Sequence, residues 1–297
     1  MDWDKLKSFH AAAEAGSLTA AAETLDLSQS ALSRQITALE DQLGIKLFHR
    51  HARGLLLTEP GKLLYRAAHD ISAKVALAEA MVADSRDKPS GDLRVTAPTA
   101  LGAIWLAPRL ASFNTAYPDI RIRLMLDDHE LDVANLEAEC AIRPWPSTQN
   151  DLIQRKLMQV PQHLYASRSY LQRCGTPNSP EDLDDHAIVQ YGPPSLAPIP
   201  NLDWATKLGR PAGASPRPAI VEANTINAVM KAAEAGLGIA SLPDYVAREN
   251  EKLVRVLPDV EGPVFEVFFV YPEELRGSNR IAVFRDFLVA EAKRWEA

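Results

Sequence analysis

The chain has 297 residues, 46% of them apolar and 24% charged, with a net charge of −7, which suits about two or three soluble globular domains and excludes a disordered or fibrous chain. No apolar run approaches the ~18 residues of a membrane-spanning helix. The acidic start Met1-Asp2-Trp3-Asp4-Lys5 has no apolar stretch behind a basic lead, so a signal peptide is not expected and a cytoplasmic location is.

Leu6, Phe9 and Ala13 recur at spacings of three and four, which predicts an opening helix that Gly16 ends. Ser17 is a good cap for a second helix, Leu18 to Leu25. After a short turn at Asp26-Leu27, Ser28 caps a third helix from Gln29 to about Leu43, stopped by Gly44. Two short helices joined by a tight turn, the second serine-capped, form a helix-turn-helix pattern. Ala31, Leu32, Ile36 and Leu39 make the inner face of the third helix, while Gln29, Ser30, Ser33, Arg34 and Thr37 make the outer one. Arginine pairs with guanine and glutamine with adenine in the major groove, so Gln29, Ser30, Ser33 and Arg34 are the candidate base readers, with a merely solvated polar face as the alternative.

Lys46-Leu47-Phe48 and Leu55-Leu56-Leu57-Thr58 flank the basic turn His49-Arg50-His51-Ala52-Arg53-Gly54. This predicts a small β-hairpin, or wing, that presents cations to a nucleic-acid backbone. Thr37, Lys46, Arg50 and Arg53 are the candidate backbone contacts. Net acidity does not oppose this, because residues 91–297 hold 27 of the 39 acidic side chains, and a local basic excess surrounds the hairpin.

From Glu59 to about Asp87 one long helix is predicted, with Pro60 in its first turn. Leu64, Ala68, Ile71, Val75, Ala78 and Val82 follow a heptad seam. The seam suits pairing with a second copy, and two copies are what a pseudo-palindromic DNA site asks for; packing within its own domain is the alternative. Lys88-Pro89-Ser90-Gly91 reads as a linker.

Beyond it, strands alternate with helices. Strands are predicted at Leu93–Thr96, Ile120–Leu126, Cys140–Arg143, His163–Ala166, Ala187–Gln190, Ala219–Val221, Ile239–Leu242 and Val264–Val270. Helices are predicted at about Leu101–Ala116, Ile226–Ala235 and Arg280–Trp295, and Pro193–Pro218 reads as a surface loop. The alternation implies α/β layers with parallel sheets, and about 200 residues suit two lobes around a cleft.

The run Phe9-His10-Ala11-Ala12-Ala13-Glu14-Ala15-Gly16-Ser17-Leu18-Thr19-Ala20-Ala21-Ala22, followed by Leu27-Ser28-Gln29-Ser30-Ala31-Leu32-Ser33-Arg34-Gln35-Ile36, resembles the LysR-type transcriptional regulators. Leu39-Glu40, Leu43-Gly44, Leu47-Phe48, Arg50, Leu57-Thr58 and Gly61 continue the resemblance. Ala141-Ile142-Arg143, Ala235-Gly236-Leu237-Gly238-Ile239-Ala240 and Leu242-Pro243 extend it more loosely. It implies a winged helix-turn-helix (1–58), a linker and dimerisation helix (59–88), and a periplasmic-binding-protein-like effector domain (91–297). Lobe I would take 91–160 and 267–297, and lobe II 161–266. It also implies dimers of dimers, a homotetramer, and an inducer in the interlobe cleft. Double-stranded DNA, a small-molecule effector and further copies of the chain are thus the expected partners, with RNA polymerase a candidate one. Two departures stand out: Glu139-Cys140 precedes Ala141-Ile142-Arg143 where Asp is common, and the loop after the first strand offers only Thr99.

Thr99, Asn224 and Thr225 sit at predicted helix starts, where hydroxyl and amide groups donate to an anion, and Arg143 ends a strand facing the same cleft. Together they favour a small organic acid as effector. Asp127 and Asp128 leave open a cationic one, and ordinary capping and ion-pair roles are the plain alternatives. No GxSxG, P-loop or HExxH motif occurs, so catalysis, a metal and a cofactor are not expected. Cys140 and Cys174 lack metal-ligand spacing and are expected to be reduced thiols, a redox pair being the alternative.

Overall fold

The computed structural model describes residues 2–51, 54–83, 88–129, 133, 137–147, 149, 151–192, 199, 201–211 and 213–296. Its contacts divide it into two compact units, Met1–Val82 and Ala83–Ala297.

In the first unit, α1 (Trp3–Ala15) starts where the Asp2 carboxylate accepts the Asp4 amide, and ends where Gly16 turns left-handed at φ 59°. Ser17 caps α2 (Leu18–Thr24) and Ser28 caps α3 (Gln29–Leu43), each hydroxyl accepting the amide three residues on. Each cap is worth about 1 kcal/mol. Leu6, Phe9 and Ala12 of α1, Ala21 and Ala22 of α2, and Leu32, Ile36 and Leu39 of α3 share one buried core with Leu47, Phe48 and Ala68. Each large apolar side chain there contributes about 1.5–3 kcal/mol.

Strands β1 (Phe48–His51) and β2 (Gly54–Leu57) pair antiparallel, Phe48 opposite Leu57 and His51 opposite Gly54. Helix α4 (Glu59–Ala83) follows. The Thr58 hydroxyl accepts the Gly61 amide at 3.0 Å and donates to the Lys46 carbonyl at 2.8 Å, so one side chain both starts α4 and ties it to the hairpin. A Cβ on Gly61 would lie 2.1 Å from the Leu47 carbonyl oxygen, so only glycine lets α4 approach this closely. The predicted seam on α4 divides: Leu64 and Ala68 pack into the core of their own unit, whereas Ile71 and Val75 are 40% and 39% exposed. The side chain of Val82 lies outside the described residues.

In the second unit β3 (Gly91–Ala97) leads through a π-helical turn, Leu101–Leu106, into α5 (Ala107–Ala116), then β4 (Ile120–Leu126), β5 (Cys140–Arg143) and β6 (Leu152–Ser167). Next come α6 (Arg168–Cys174), β7 (Ile188–Tyr191), α7 (Trp204–Lys207), β8 (Ala219–Ala223), α8 (Ile226–Glu234), β9 (Ile239–Pro243), α9 (Asp244–Ala247) and β10 (Leu253–Val256). Strand β11 (Val264–Pro272) and α10 (Asn279–Glu296) complete it.

The sheet is mixed, which corrects the parallel sheets read from the alternation. β3 runs parallel to β4 and β5, and β7 parallel to β8 and β9. Strand β11 is antiparallel to β5 and β6, and β6 antiparallel to β9 and β10. The cause is the path of the chain. The sixteen-residue β6 pairs with β11 up to Pro161 and with β9 and β10 from Gln162 onward. It carries the chain from the first lobe into the second, and β11 carries it back alongside.

Two buried features lock the first lobe. Phe113 of α5 meets Phe284 of α10 edge-on at 5.1 Å, and Phe269 of β11 packs on the same ring. Glu139 and Arg280, 5% and 4% exposed, pair at 3.2 Å. The other Glu139 oxygen accepts the Arg94 amide at 2.9 Å, and Arg280 also donates to the Asp92 carbonyl. Glutamate before Cys140 thus ties α10 to β3. No helix among the described residues is long and apolar enough to cross a membrane.

Candidate functional site

The outer face of α3 carries the predicted base readers. Gln29, Ser30 and Arg34 are exposed, and Ser33 and Thr37 are half-buried, opposite the buried Leu32, Ile36 and Leu39. Spacings of four put Gln29, Ser33 and Thr37 in one row and Ser30 and Arg34 in the next. Arg34 Nε donates to the Ser30 carbonyl at 3.3 Å, which fixes the base of the fork. Its Nη groups make no hydrogen bond to a described residue, and they are the groups that pair with a guanine edge.

Lys46, a predicted backbone contact, also has an internal partner. Its Nζ lies 2.8 Å from Glu40 Oε2, so its charge serves an internal carboxylate first, although the side chain is 68% exposed. Glu40 is 4% exposed and also accepts the amides of Leu47 (2.9 Å) and Phe48 (3.3 Å). It therefore anchors the base of the hairpin. Arg50 lies on β1 opposite Leu55, with its side chain outside the described residues, as is the whole of Arg53.

Burial works against ionisation of Glu40, but the Lys46 ammonium and the two amides more than offset it and hold its carboxyl below the usual range. A lowered folded pKa means stability that is fully present above the unfolded value of about 4.3 and lost as pH falls through the folded one. Glu40→Ala is expected to destabilise the chain by about 1–3 kcal/mol at neutral pH, since it leaves two buried amides without an acceptor. In denaturant titrations the gap to the wild type should narrow below about pH 4; a gap that stays constant with pH would remove the charge from this account.

In the second unit a cavity of about 40 Å³ lies between the lobes. Pro98, Ala100, Asp128, Pro144 and Trp145 line it from the first lobe; Tyr191, Leu202, Ile226 and Tyr245 line it from the second. An adjoining cavity of about 220 Å³ shares Pro144, Trp145, Ile199 and Phe265 and adds Gln162, Asn201 and Glu266.

The four predicted effector residues stand beside these walls. Thr99 lies between Pro98 and Ala100, and its amide donates to Asp128 Oδ1 at 2.8 Å, so an internal carboxylate occupies the place expected for an anion. Arg143 is 1% exposed, with its guanidinium 5.7 Å from the Trp145 ring centre and Nη1 donating to the His129 carbonyl at 3.4 Å. Asn224 is exposed. Thr225 holds the cap position of α8, but its hydroxyl makes no cap bond and is buried with no hydrogen-bond partner among the described residues. Asp128 sits closer to the cavity than any of them, and Tyr191 and Tyr245 feel it. Burial first, and the Asp128 charge second, push both phenols up. Asp128 and the two tyrosines were not resolved by sequence as one group, because they come from three places far apart in the chain: the segment after β4, the last residue of β7 and the first turn of α9.

Two further clusters bear on other readings. His163 Nδ1 lies 2.7 Å from Asp244, whose carboxylate also accepts the Tyr165 hydroxyl at 2.9 Å. The other ring nitrogen meets the Glu261 carboxylate at 3.8 Å, where a hydrolase triad needs a nucleophile. Among the described residues no group of three His, Cys, Asp or Glu side chains could hold a metal ion. Cys140 is buried and Cys174 exposed. Burial, then the Glu139 charge, pushes the Cys140 thiol well above its usual range, with Arg280 opposing, so little thiolate forms there. A thiol reagent such as Ellman's should titrate one thiol of the native chain quickly and the second only after denaturation; two fast thiols would revive the redox pair.

The model of the bacterial regulatory helix-turn-helix, lysR family, matches residues 3–62, and the model of the LysR substrate-binding domain matches residues 86–293. The chain is 32% identical to the HTH-type transcriptional regulator CrgA of Neisseria meningitidis serogroup C over 97% of this chain and 96% of that one. It is 30% identical to the HTH-type transcriptional regulator YhjC of Escherichia coli K12 over 95% of each. Among solved structures it resembles the full-length virulence activator AphB of Vibrio cholerae, with a TM-score of 0.63 and 29% identity over 98% of this chain and 99% of that one.

Proposed function

This chain belongs to the LysR family of transcriptional regulators, and from that premise we propose how it divides the work: residues 1–58 read DNA, 59–88 join two copies, and 91–297 hold an effector. The observation that carries the reading is the outer face of α3, where Gln29, Ser30 and Arg34 are exposed on a helix whose inner face is locked in the core. Gln29, Ser30, Ser33 and Arg34 read base edges, and Thr37, Lys46, Arg50 and Arg53 hold phosphates. Lys46 contributes least of these, because Glu40 shares its charge.

The exposed Ile71 and Val75 on α4 support a homodimer through that helix, and the family supports pairing of dimers into a tetramer. RNA polymerase is a further partner of a promoter-bound activator. The effector sits between the lobes, framed by the loop of Thr99, the end of β5 at Arg143 and the turn of Asn224 and Thr225. The case for an organic acid as effector depends on Arg143, which is buried and engaged; the cavity itself presents the carboxylate of Asp128. The ligand shifts promoter contacts only by its differential affinity for two arrangements of the assembly.

Footprinting of the DNA upstream of its own gene tests the reading. Two protected half-sites related by a dyad, about 10 base pairs apart centre to centre or a multiple of that, are expected. A single patch without symmetry would contradict the dimer.

A further inference from the structure

We propose that the effector of this chain is a cationic amine, its ammonium held by Asp128 within the aromatic walls of the interlobe cavity and its body lying along β11. The proposal rests on the reading of residues 91–297 as an effector domain and names the ligand class of that site.

Charge argues first. Among the described residues lining the 40 Å³ cavity, Asp128 carries the single formal charge. Its Oδ1 accepts the Thr99 amide, and Oδ2 has no hydrogen bond to a described residue. A half-buried carboxylate between two lobes with no ion-pair partner among the described residues is poorly compensated, and a ligand cation supplies that partner. Arg143 does not line the cavity; it stacks on Trp145, and its charge acts on Asp127.

The walls argue in the same direction. Trp145, Tyr191, Tyr245 and Phe265 all line the cavity. Aromatic faces carry a negative quadrupole and attract an ammonium, most strongly when it is desolvated. A carboxylate ligand would meet both Asp128 and these faces unfavourably. The same contacts supply the coupling: Asp128 and Trp145 come from the first lobe, Tyr191 and Tyr245 from the second, so one cation favours the closed lobes over the open ones.

Size and polarity specify the rest. A 40 Å³ space takes little more than an ammonium head, and the adjoining 220 Å³ takes the body. Val264, Phe265 and Phe268 make that second space largely apolar, while Gln162 lines it too. Gln162 is 1% exposed; its Oε1 accepts the Ser241 hydroxyl at 2.8 Å, and its Nε2 has no acceptor among the described residues. An apolar amine with a hydrogen-bond acceptor on its body satisfies both spaces.

The test is calorimetric titration of the full chain with three probes that share a phenylethyl frame and differ in charge: 2-phenylethylamine, 2-phenylethanol and 3-phenylpropionate. The amine is expected to bind at least about tenfold more tightly than the alcohol, and the acid least. Asp128→Asn keeps an acceptor for the Thr99 amide, so it should fold, and it should abolish the preference for the amine. Amine binding no tighter than alcohol binding, or no amine binding at all, overturns the proposal. So does tighter binding of the acid, but that result, if weakened by Trp145→Ala, leaves an effector in the cleft. Amine binding untouched by both Asp128→Asn and Trp145→Ala puts the ligand elsewhere, and the cleft reading falls with the proposal.

Discussion

Arg280→Ala is expected to lower the unfolding free energy of the second unit by about 3–5 kcal/mol, the cost of leaving one member of a buried ion pair uncompensated. Glu139 and Arg280 are almost fully buried and 3.2 Å apart. Without the guanidinium, Glu139 keeps the Arg94 amide and, at 4.0 Å, the partly exposed Arg94 guanidinium, but no buried cation. Domains are stable by only about 5–15 kcal/mol, so the loss is a large share of the total. Denaturant unfolding of the full chain should show the transition of the second unit move to much lower denaturant, with the first unit unaffected. The double change Glu139→Gln with Arg280→Met should cost less than Arg280→Ala alone, because it removes the stranded charge as well as the pair. A single variant that costs under about 1 kcal/mol would mean that water or a rearranged neighbour solvates Glu139.

Arg34→Ala is expected to weaken binding to the promoter site by about 1–3 kcal/mol, roughly 5- to 150-fold, and to leave binding to unrelated DNA nearly unchanged. The reason is the position of the side chain. It is exposed, held at Nε by the Ser30 carbonyl, and bound to nothing else described. It is not part of the core, so its removal should not affect folding. Arg50→Ala on the hairpin should weaken both DNAs alike and reduce the salt dependence of binding by about one phosphate contact. Fluorescence anisotropy on the two DNAs separates these outcomes. Equal losses on both for Arg34→Ala would make Arg34 a phosphate contact.

The first unit was nearly all legible because its signals are local. Asp26-Leu27 between serine-capped helices, Gly16 and Gly44 at φ 59° and 69°, and apolar spacings of three and four each act within one turn. Its one surprise, Glu40, satisfies amides seven and eight residues away, and nothing in local spacing reports that. In the second unit β4 and β5 match their predicted ends, but the first half of β6 went unread. Gln154-Arg155-Lys156 is polar and Pro161 argues against a strand interior, yet Pro161 lies where β6 leaves β11, so its missing amide costs little. Pairing direction was illegible for the same reason as the cleft: β6 with β11, and Asp128 with Tyr191 and Tyr245, meet only through the path of the whole chain. Arg143 shows the limit most plainly. Its sequence position suited a ligand, and packing against Trp145 buried it.

The most direct test of a DNA-reading α3 is a gel shift of the purified chain with the DNA upstream of its own gene, at physiological salt, against an excess of unrelated DNA. A discrete complex that survives the competitor in the wild type and is lost in Arg34→Ala is the expected result. A complex that any competitor removes equally from both proteins would mean that α3 contributes charge rather than sequence recognition, and would contradict the account.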